Sequence, residues 1–320
     1  MMASDPSMRH VLVTGAAGYI GQRLAKRIVE GPEFADWRVT LADMGPLPFR
    51  PDKRIRVLQG DLTDVEYAVT MLERPADVVF HLAGILGGAA EANPALARHV
   101  NIDATLSLLE RLRDQGHCPR VVFASTIGVF GPPLPALVDD LTLPRPLMTY
   151  GAQKLMIETA LAQFSARGWL DGLAVRLPAI VAKREADPRL RSSFLNQIFW
   201  AYPDGHHLLM PVSRSGTIWM LSVPACIDAL VHAALVDGSL IGQDRAITLP
   251  AIRVVLGELE ERLRARFPDS RGKITFDPNP TLDAEFASLP VLATRSGDRL
   301  GFVHDGDIDR LIDRALSTQS

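Results

Sequence analysis

The segment HVLVTGAAGYIG, residues 10–21, places three glycines directly after a short apolar run. The run predicts a buried strand, and the apolar spacing over residues 19–30 predicts a helix. Between them, Gly15 permits a tight turn, Gly18 lets the backbone approach a pyrophosphate, and Gly21 lets the helix pack on the strand. The first turn of the helix offers unpaired N–H groups and the positive end of the helix dipole to phosphates. The segment therefore predicts a dinucleotide-binding turn.

Strand-like and helix-like segments alternate along the rest of the first half of the chain. One helix is predicted from about Pro94 to Gln115, and a second long helix opens near Tyr150. Apolar strands separated by helices require right-handed crossovers, which produce a parallel sheet covered on both faces. We therefore expect an α/β fold with a doubly wound parallel sheet, the Rossmann arrangement. The strand-like segments are WRVTLAD, RIRVLQGD, ADVVFHLAG, PRVVFASTIGVFG and DGLAVRLP.

An acidic residue at the end of the second predicted strand indicates which dinucleotide binds. Asp43 lies 22 residues after Gly21. A carboxylate at this place can accept hydrogen bonds from the adenosine ribose and repels a 2′-phosphate. A capping or surface role is the alternative for Asp43. The sequence thus predicts NAD rather than NADP as the cofactor.

The second half of the chain has less regular patterning. Residues 181–222 are rich in loop signals, and no strand-helix alternation is visible there. Ser222 is predicted to cap a helix that contains Pro224 in its first turn and ends near Val236. Further along, we expect a strand at RAITLP, a helix over residues 253–266 and a short strand at ITF.

Two unequal parts of the chain follow from this change of pattern. Residues 1–178 are predicted to form the NAD-binding Rossmann domain. Residues 179–320 are predicted to form mainly a smaller C-terminal lobe that binds substrate. One segment of that lobe, about residues 223–250, is expected to return to the core.

Composition and charge exclude several functional classes. The net charge is -3, the sequence pI is about 6.2, and Lys and Arg are scattered, so no footprint for nucleic acid or an anionic membrane is present. Cys118, Cys226, His206 and His207 lack metal-ligand spacing, so no metal site is predicted. The first residues show no apolar leader, and no stretch approaches about 20 apolar residues. We expect a soluble, cytoplasmic protein that acts on a small molecule.

Tyr150 and Lys154 stand four residues apart in TYGAQKLMIETA, residues 149–160. On a helix, positions i and i+4 share one face, with Cβ atoms roughly 5–6 Å apart. An ammonium there stabilises a phenolate, so a phenol that ordinarily titrates near about 10 becomes a base closer to neutral pH. The spacing is therefore compatible with Tyr150 as a base whose pKa Lys154 lowers, and a chance pair on a solvated helix face is the alternative that the spacing alone leaves open.

In combination, these motifs resemble one enzyme family. TGAAGYIG, Asp43, GDL, HLAG, AST followed by VFG, and YGAQK are similar to the extended short-chain dehydrogenases/reductases, the superfamily of nucleotide-sugar epimerases and dehydratases. The resemblance covers essentially the whole chain and implies an NAD-dependent oxidoreductase. It implies that Tyr150 is the acid/base, that Lys154 binds the nicotinamide ribose, and that a hydroxyl orients the substrate. By its place in STIGVFG, that hydroxyl belongs to Thr126, with Ser125 just before it.

The resemblance also indicates which residues contact the cofactor. Asp61 is implied to contact the adenine amino group, and Asn101 matches a family Asn, for which helix packing is the alternative role. Apolar faces on the helices that begin near Pro94 and Tyr150 suit the homodimer found in much of this superfamily, although burial within one chain explains them equally well. The predicted NAD-binding residues are Gly15, Ala17, Gly18, Tyr19, Ile20, Asp43, Asp61, Leu62, Leu82, Ala83, Gly84, Asn101, Tyr150, Lys154 and Pro178.

Departures from the family pattern bear on the reaction. Ile127 and Gly128 stand where the 4,6-dehydratases of this superfamily carry an Asp-Glu pair, which argues against that class. Thr217 stands where an epimerase would carry an Arg for the diphosphate, so a nucleotide-sugar pocket would lose a cationic partner.

A narrower resemblance is to the D-erythronate dehydrogenases. It rests on HLAGILGGAAEANP, ASTIGVFGPPLP, MTYGAQK, DGLAVRLPAIVA with SSF following, and MPVS with a Trp soon after. The resemblance implies hydride transfer to NAD from the 2-hydroxyl carbon of a small sugar acid such as D-erythronate. A nucleotide-sugar epimerase and a non-catalytic NAD-binding regulatory protein are the alternatives. The candidate substrate residues are Ser125, Thr126, Ser192, Arg214 and Thr217, with Arg184 as a further replacement for the missing Arg.

Overall fold

The computed structural model describes residues 8–184 and 191–317. The strands in these ranges are β1 (His10–Thr14), β2 (Arg38–Asp43), β3 (Ile55–Gln59), β4 (Val78–His81), β5 (Arg120–Thr126), β6 (Leu137–Val138), β7 (Asp171–Leu177), β8 (Ala179–Val181), β9 (His207–Met210), β10 (Thr217–Ser222), β11 (Ala246–Thr248), β12 (Ile252–Val255), β13 (Lys273–Phe276) and β14 (Val291–Leu292). The α-helices there are α1 (Tyr19–Glu30), α2 (Val65–Met71), α3 (Gly87–Ala92), α4 (Pro94–Arg98), α5 (Thr105–Asp114), α6 (Thr149–Ala166), α7 (Phe194–Gln197), α8 (Val223–Leu235), α9 (Leu256–Arg266), α10 (Pro280–Phe286), α11 (Arg295–Arg299) and α12 (Ile308–Ser317).

Seven of the described strands form one parallel sheet in the order β11-β7-β5-β4-β1-β2-β3. The chain runs outward from β1 to β3 and then continues at β4 on the other side of β1. Thr14, His81 and Phe123 occupy neighbouring positions across β1, β4 and β5. The predicted doubly wound fold is therefore confirmed. Because parallel strands point the same way, their carboxyl ends meet at one edge, and ligands bind there where the strand order reverses.

Helices cover both faces of the sheet, as the near-continuous apolar strands require. On one face, α1 and α8 bury Leu24, Ile28 and Leu230. On the other face, α5 and α6 contribute Leu109 and Ile157. The residues predicted as one helix from Pro94 to Gln115 are helical throughout, although His99–Ala104 between α4 and α5 form a π-helical turn.

Part of the later chain returns to the main sheet. β11 pairs with β7, with Ala246 opposite Ala174. The hydroxyl of Ser222 accepts a hydrogen bond from the amide of Ala225 at 3.2 Å, so the predicted cap of α8 is confirmed. One edge strand of the sheet and one of its covering helices thus come from beyond residue 222.

The later chain also contains regular structure that its sequence does not reveal. The prediction of irregular chain over residues 181–222 is wrong, because β9 and β10 lie there, and β8 reaches into its start. Each of these strands is short and pairs with a distant partner, so local periodicity is too brief to detect. The predicted helix over residues 253–266 is wrong at its start, where β12 occupies residues 252–255. The β-branched Val254 and Val255 favour a strand there.

The two faces of β10 contact different parts of the protein. Ile218 and Met220 point into the apolar core of the later lobe. Trp219 points the opposite way, is fully buried, and packs with Val129 and Phe130 just after β5. The indole N–H of Trp219 donates to a backbone carbonyl, that of Pro290, at 2.7 Å. The lobe is therefore anchored to the carboxyl edge of the sheet. Among the described residues, no helix is long and apolar enough to cross a membrane.

Replacement of Trp219 by Ala is expected to destabilise this anchor. The change leaves a cavity where a fully buried indole was, which costs about 3–5 kcal/mol in comparable cores. Urea unfolding monitored by circular dichroism measures the loss. The matched variant Trp219→Phe keeps most of the apolar volume and should lose clearly less. Equal stability of wild type and Trp219→Ala would contradict an anchoring role.

Candidate active site

The glycine turn after β1 lies directly against the end of β4. Gly15 has φ of 74°, and a Cβ at this residue would lie 2.5 Å from the amide nitrogen of Ala83. A Cβ on Gly21 would lie 2.0 Å from the carbonyl oxygen of Gly15. No side chain caps the first turn of α1, which starts after Gly18. The turn therefore places the start of α1 at the carboxyl edge without a capping side chain.

Asp43, at the end of β2, stabilises the glycine turn through a hydrogen bond to its backbone. Its carboxylate accepts hydrogen bonds from the amides of Ala17 at 2.9 Å and Gly45 at 2.7 Å, and the residue stays partly exposed. Asp61 is exposed, and its carboxylate accepts from the amide of Thr63 at 2.8 Å. Both carboxylates thus shape loops at the edge where the sequence predicted the adenosine end of the cofactor.

Asn101 joins the loop after β4 to helix α6. Its side-chain oxygen accepts from the amide of Ile85 at 2.8 Å, and its amide group donates to the Ile85 carbonyl at 3.0 Å and to Gln153 Oε1 at 2.7 Å. The residue is buried, and both of its donor hydrogens are used inside the protein. A Cβ at Gly84 would lie 3.0 Å from Asn101 Oδ1 and 3.5 Å from Lys154 Nζ. Asn101 therefore positions the predicted cofactor residues, and this geometry favours the packing alternative over direct cofactor contact.

Glu91 on α3 caps the helix that carries the Tyr-Lys pair. One carboxylate oxygen accepts from the amide of Thr149 at 2.6 Å, and the other accepts from the Thr149 hydroxyl at 3.2 Å. The N-cap residue of α6 is Met148, whose side chain cannot accept a hydrogen bond. Glu91 supplies the missing acceptor from 58 residues away in sequence. That separation explains why sequence reasoning did not find it.

Tyr150 and Lys154 lie on one face of α6, as predicted. The Lys154 ammonium is 5.6 Å from the centroid of the Tyr150 ring and 4.4 Å from that of Phe123. Burial lowers the pKa of Lys154 to about 8, and Glu158 opposes that shift. Burial raises the pKa of Tyr150 above its ordinary value. The predicted lowering of the Tyr150 pKa by Lys154 is thus not seen, because desolvation of the phenol dominates.

The hydroxyls at the end of β5 point to opposite sides, as the alternation of a strand requires. Thr126 is partly exposed at the edge, and its hydroxyl accepts from the amide of Gly128 at 3.0 Å, which leaves its own proton free to donate. Ser125 is buried, and its hydroxyl donates to Glu158. Glu158 also forms an ion pair with Arg176 at 2.7 Å. The structure therefore separates the two candidates, with Thr126 toward the edge and Ser125 in the interior.

Helix α6 contacts the turn after β5 at its first residues. A Cβ on Gly151 would lie 2.1 Å from the carbonyl oxygen of Gly128, so only glycine allows this approach. The contact brings the residue next to Tyr150 against the turn that follows Thr126. The edge thus holds the Thr126 hydroxyl, and α6 brings Tyr150 next to the turn after β5 and the Lys154 ammonium next to the Gly84 backbone.

The predicted substrate residues beyond the sheet differ in their surroundings. The guanidinium of Arg214 forms ion pairs with Glu260 and Glu261, each at 2.7 Å, so its charge is already compensated. Arg184 likewise pairs with Asp204 at 2.5 Å. Both guanidiniums thus already have acidic partners, which disfavours either one as a substrate ligand, and the role of Arg214 and Arg184 stays a prediction. Ser192 is partly buried at the start of the segment leading to α7.

Thr217 has a backbone partner and a cationic neighbour. Its hydroxyl donates to the carbonyl of Leu289 at 2.7 Å and accepts from Arg253 at 3.3 Å. Between Arg184 and Ser192, residues 185–190 lie outside the described residues.

His81 is a core residue of the sheet. Its ring nitrogens hydrogen-bond to the hydroxyls of Thr14 at 2.7 Å and Thr105 at 2.9 Å, and its ring stacks on Phe123. Burial lowers the pKa of His81 to about 3, and the positive charge of Lys154 is a second, smaller cause of the lowering. The imidazole is therefore neutral and ties β1, β4 and α5 together beneath the edge.

Comparison with known proteins decides the family. A model of the NAD dependent epimerase/dehydratase family matches residues 11–220. The chain belongs to this family. Together with the dehydrogenases among its relatives, the match shows an NAD-dependent dehydrogenase, so the predicted family and cofactor are confirmed.

Two D-erythronate dehydrogenases are similar over nearly the whole chain. That of Cupriavidus necator is 33% identical over 314 residues, covering 95% of this chain and 96% of that protein. That of Haemophilus influenzae is 28% identical and covers 96% of this chain and 98% of that protein. The crystal structure of a nucleoside-diphosphate-sugar epimerase from Agrobacterium tumefaciens matches with a TM-score of 0.87 and 28% identity, covering 98% of this chain and 94% of that one.

The carboxyl edge fits NAD. The uncapped start of α1 offers N–H groups to the pyrophosphate, and the bare backbone at Gly15 and Gly18 allows close approach. The Asp43 carboxylate lies beside this turn, where a negative charge suits a ribose and disfavours a 2′-phosphate. On the β4 side of the turn, Lys154 lies beside the Gly84 backbone.

Replacement of Glu91 by Ala is expected to lower kcat about tenfold, because the first turn of α6 loses its cap and Tyr150 its fixed position. Glu91→Gln keeps one acceptor oxygen and should retain most of the activity. Steady-state kinetics with saturating NAD measure both variants. Glu110→Ala, which removes an exposed acid on α5, is the control. Identical kinetics for Glu91→Ala and Glu110→Ala would exclude this role.

Burial of Lys154 is expected to make stability depend on pH. Its pKa is about 8 in the folded protein and 10.5 ordinarily, so between these values the unfolded chain binds more protons. The contribution of Lys154 to the free energy of unfolding therefore rises with pH in this window and is lowest below pH 8. Between pH 8 and 9.5, wild type should gain about 1–2 kcal/mol relative to Lys154→Met. Urea unfolding across this range tests it, and parallel curves would contradict it.

Proposed function

We propose that the protein oxidises the alcohol beside the carboxylate of a small sugar acid such as D-erythronate, with NAD as acceptor and Tyr150 as base. The observation that carries the proposal is the 33% identity to a D-erythronate dehydrogenase over 95% of the chain. L-threonine 3-dehydrogenases of Bos taurus and Sus scrofa are also relatives, each 24% identical over 98% of the chain. D-erythronate and L-threonine are both small acids with a secondary hydroxyl, which supports this class of substrate.

The edge residues suit alcohol oxidation. NAD, when bound, supplies the nicotinamide that accepts the hydride. Thr126 donates its hydroxyl proton to the substrate oxygen and so orients it. Tyr150 removes the alcohol proton. Lys154 is predominantly charged at neutral pH because its pKa is about 8, and its ammonium stabilises the phenolate from one helical turn away.

The raised pKa of Tyr150 is compatible with this role once charge is added at the edge. Burial of the phenol disfavours the phenolate in the protein alone. NAD, when bound, would supply a positive charge that adds to the field of Lys154, and Tyr150 would then ionise more easily. We infer that cofactor binding precedes activation of Tyr150.

The position of the glycine turn also suggests which residues bind the rest of NAD. We infer that Gly15, Ala17 and Gly18 bind the pyrophosphate and that Asp43 binds the adenosine ribose. The lobe of residues 179–320 is proposed to cover the substrate. The homodimer, the cytoplasmic location and the adenine contact of Asp61 stay predictions.

A nucleotide-sugar epimerase is the weaker alternative. Its substrate carries a diphosphate, which requires cationic partners. The charge of Arg214 is compensated by Glu260 and Glu261, and Thr217 stands where an Arg was expected. These features favour a substrate with less negative charge than a nucleoside diphosphate.

An absorbance assay of NADH formation across four-carbon and five-carbon aldonates tests the proposal. Turnover of a sugar acid with NAD, and much weaker turnover with NADP, is the expected result. Absence of turnover on every short-chain acid, with epimerisation of a nucleotide sugar, would overturn it. NAD binding without any turnover would point instead to a regulatory protein.

Tyr150→Phe is expected to lower kcat by about 10²–10⁴-fold, because it removes the base and leaves the ring in place. Affinity for NADH, measured by fluorescence titration, should change little. Tyr67→Phe is the control, since this phenol on α2 donates to the Leu58 carbonyl and takes no part in the proposed chemistry. Wild-type kcat in Tyr150→Phe would remove Tyr150 as the base.

A further inference from the structure

Arg253 lies on the face of the lobe that contacts the carboxyl edge of the main sheet. It pairs across β10 and β12 with Trp219, and residues directly opposite in an antiparallel pair point to the same face. The neighbouring Val254 points to the other face, into the core of the lobe. Trp219 packs on Val129 and Phe130, the residues that follow the Thr126 turn. The side chain of Arg253 therefore projects on the same side as this turn.

The apolar cluster around Trp219 also contains residues that are next in sequence to Thr126 and Lys154. Besides Trp219, the cluster includes Ile127, which follows Thr126, and Leu155, which follows Lys154. Ala251, two residues before Arg253 on the same chain segment, also packs against it. The cluster thus connects the strand of Arg253 to both elements that carry the candidate active site.

The guanidinium of Arg253 is held in place by neutral groups. Its Nε donates to the Leu289 carbonyl at 3.0 Å, and its Nη2 donates to the Thr217 hydroxyl at 3.3 Å. Thr217 itself donates to the same carbonyl at 2.7 Å. The two hydrogen bonds that Arg253 donates use two of the five N–H groups of its guanidinium, which leaves three donors.

The positive charge of Arg253 is not compensated by an acid in the described part of the chain. No carboxylate there lies within the 4.0 Å of an ion pair with this guanidinium, and the residue is exposed. Arg214, by contrast, has two carboxylates on its guanidinium. A charged group with a fixed fork and free donors is suited to bind a carboxylate through two hydrogen bonds.

We propose that Arg253 binds the carboxylate of the substrate. The inference rests on the proposed oxidation of a small sugar acid and identifies the group that selects for the acid. Thr217 acts with Arg253 by fixing the guanidinium, so the cation comes from β12 and the hydroxyl from β10. Arg253 is a specificity residue and takes no part in the transfer of the proton.

The test compares an acid with its uncharged counterpart. For Arg253→Gln, KM for D-erythronate should rise about 10- to 100-fold, while kcat and the KM for NAD stay within a few-fold of wild type. Slow oxidation of erythritol, the polyol without the carboxylate, should have the same kcat/KM in both proteins. Arg253→Lys should recover only part of the loss, since an ammonium cannot form the paired hydrogen bonds.

Arg271→Gln, which removes an exposed charge on the loop before β13, is the matched control and should keep wild-type kinetics. Equal losses for D-erythronate and erythritol in Arg253→Gln, or no loss for D-erythronate, would overturn the inference. Failure of the proposed function is seen separately, as absence of acid oxidation by wild type. In that event, the inference is tested by calorimetric titration of tartronate, a small hydroxy dicarboxylate, into the NADH-bound protein. Weaker binding in Arg253→Gln than in Arg271→Gln supports the inference, and equal or absent binding overturns it.

Discussion

The amide of Asn101 is the contact on which the arrangement of the edge depends. Its three hydrogen bonds join the loop at Ile85 to Gln153 on α6, and Gln153 stands next to Lys154. Because the amide is buried and both donors are used, loss of either partner would leave a polar group unsatisfied in the interior. The π-helical turn of His99–Ala104 contains Asn101. A local departure from α-helical geometry thus coincides with the residue that fixes the loop after β4 relative to α6.

Helix α6 carries two buried charged groups that differ in their partners: Glu158 is in an ion pair, and Lys154 has no carboxylate within ion-pair distance among the described residues. Glu158 forms an ion pair with Arg176 and accepts a hydrogen bond from Ser125, so the charge of this buried carboxylate is compensated. Lys154, one turn earlier, meets Glu158 only at long range, and burial leaves its pKa at about 8. The ammonium is thereby kept easily titratable, whereas the phenol of Tyr150 is held neutral until further positive charge arrives. In the proposed reaction, binding of the cationic nicotinamide and ionisation of Tyr150 are then linked.

Elements with strong local patterns could be read from the sequence, and elements specified by distant partners could not. The glycine turn, the strands β1 to β5 and β7, and the Ser222 cap each have a short-range cause, so they are found where predicted. β9 and β10 depend on pairing with strands far along the chain, and Glu91 reaches Thr149 across 58 residues. The pKa of Tyr150 depends on burial, which spacing alone does not reveal. Substrate residues were the least predictable. Arg214, for example, forms ion pairs with Glu260 and Glu261, which are distant in sequence and approach it only in the folded lobe.

The return of the late chain to the main sheet has a consequence for synthesis. β11 forms the edge beside β7, and α8 covers one face, yet both lie after residue 222. When the ribosome has made the residues that bind the cofactor, the sheet still lacks a strand and part of its apolar cover. At about 5–20 residues per second, the remaining stretch takes several seconds to emerge. During that time the nascent chain exposes the open edge of β7, which makes this interval the period in which chaperone protection matters most.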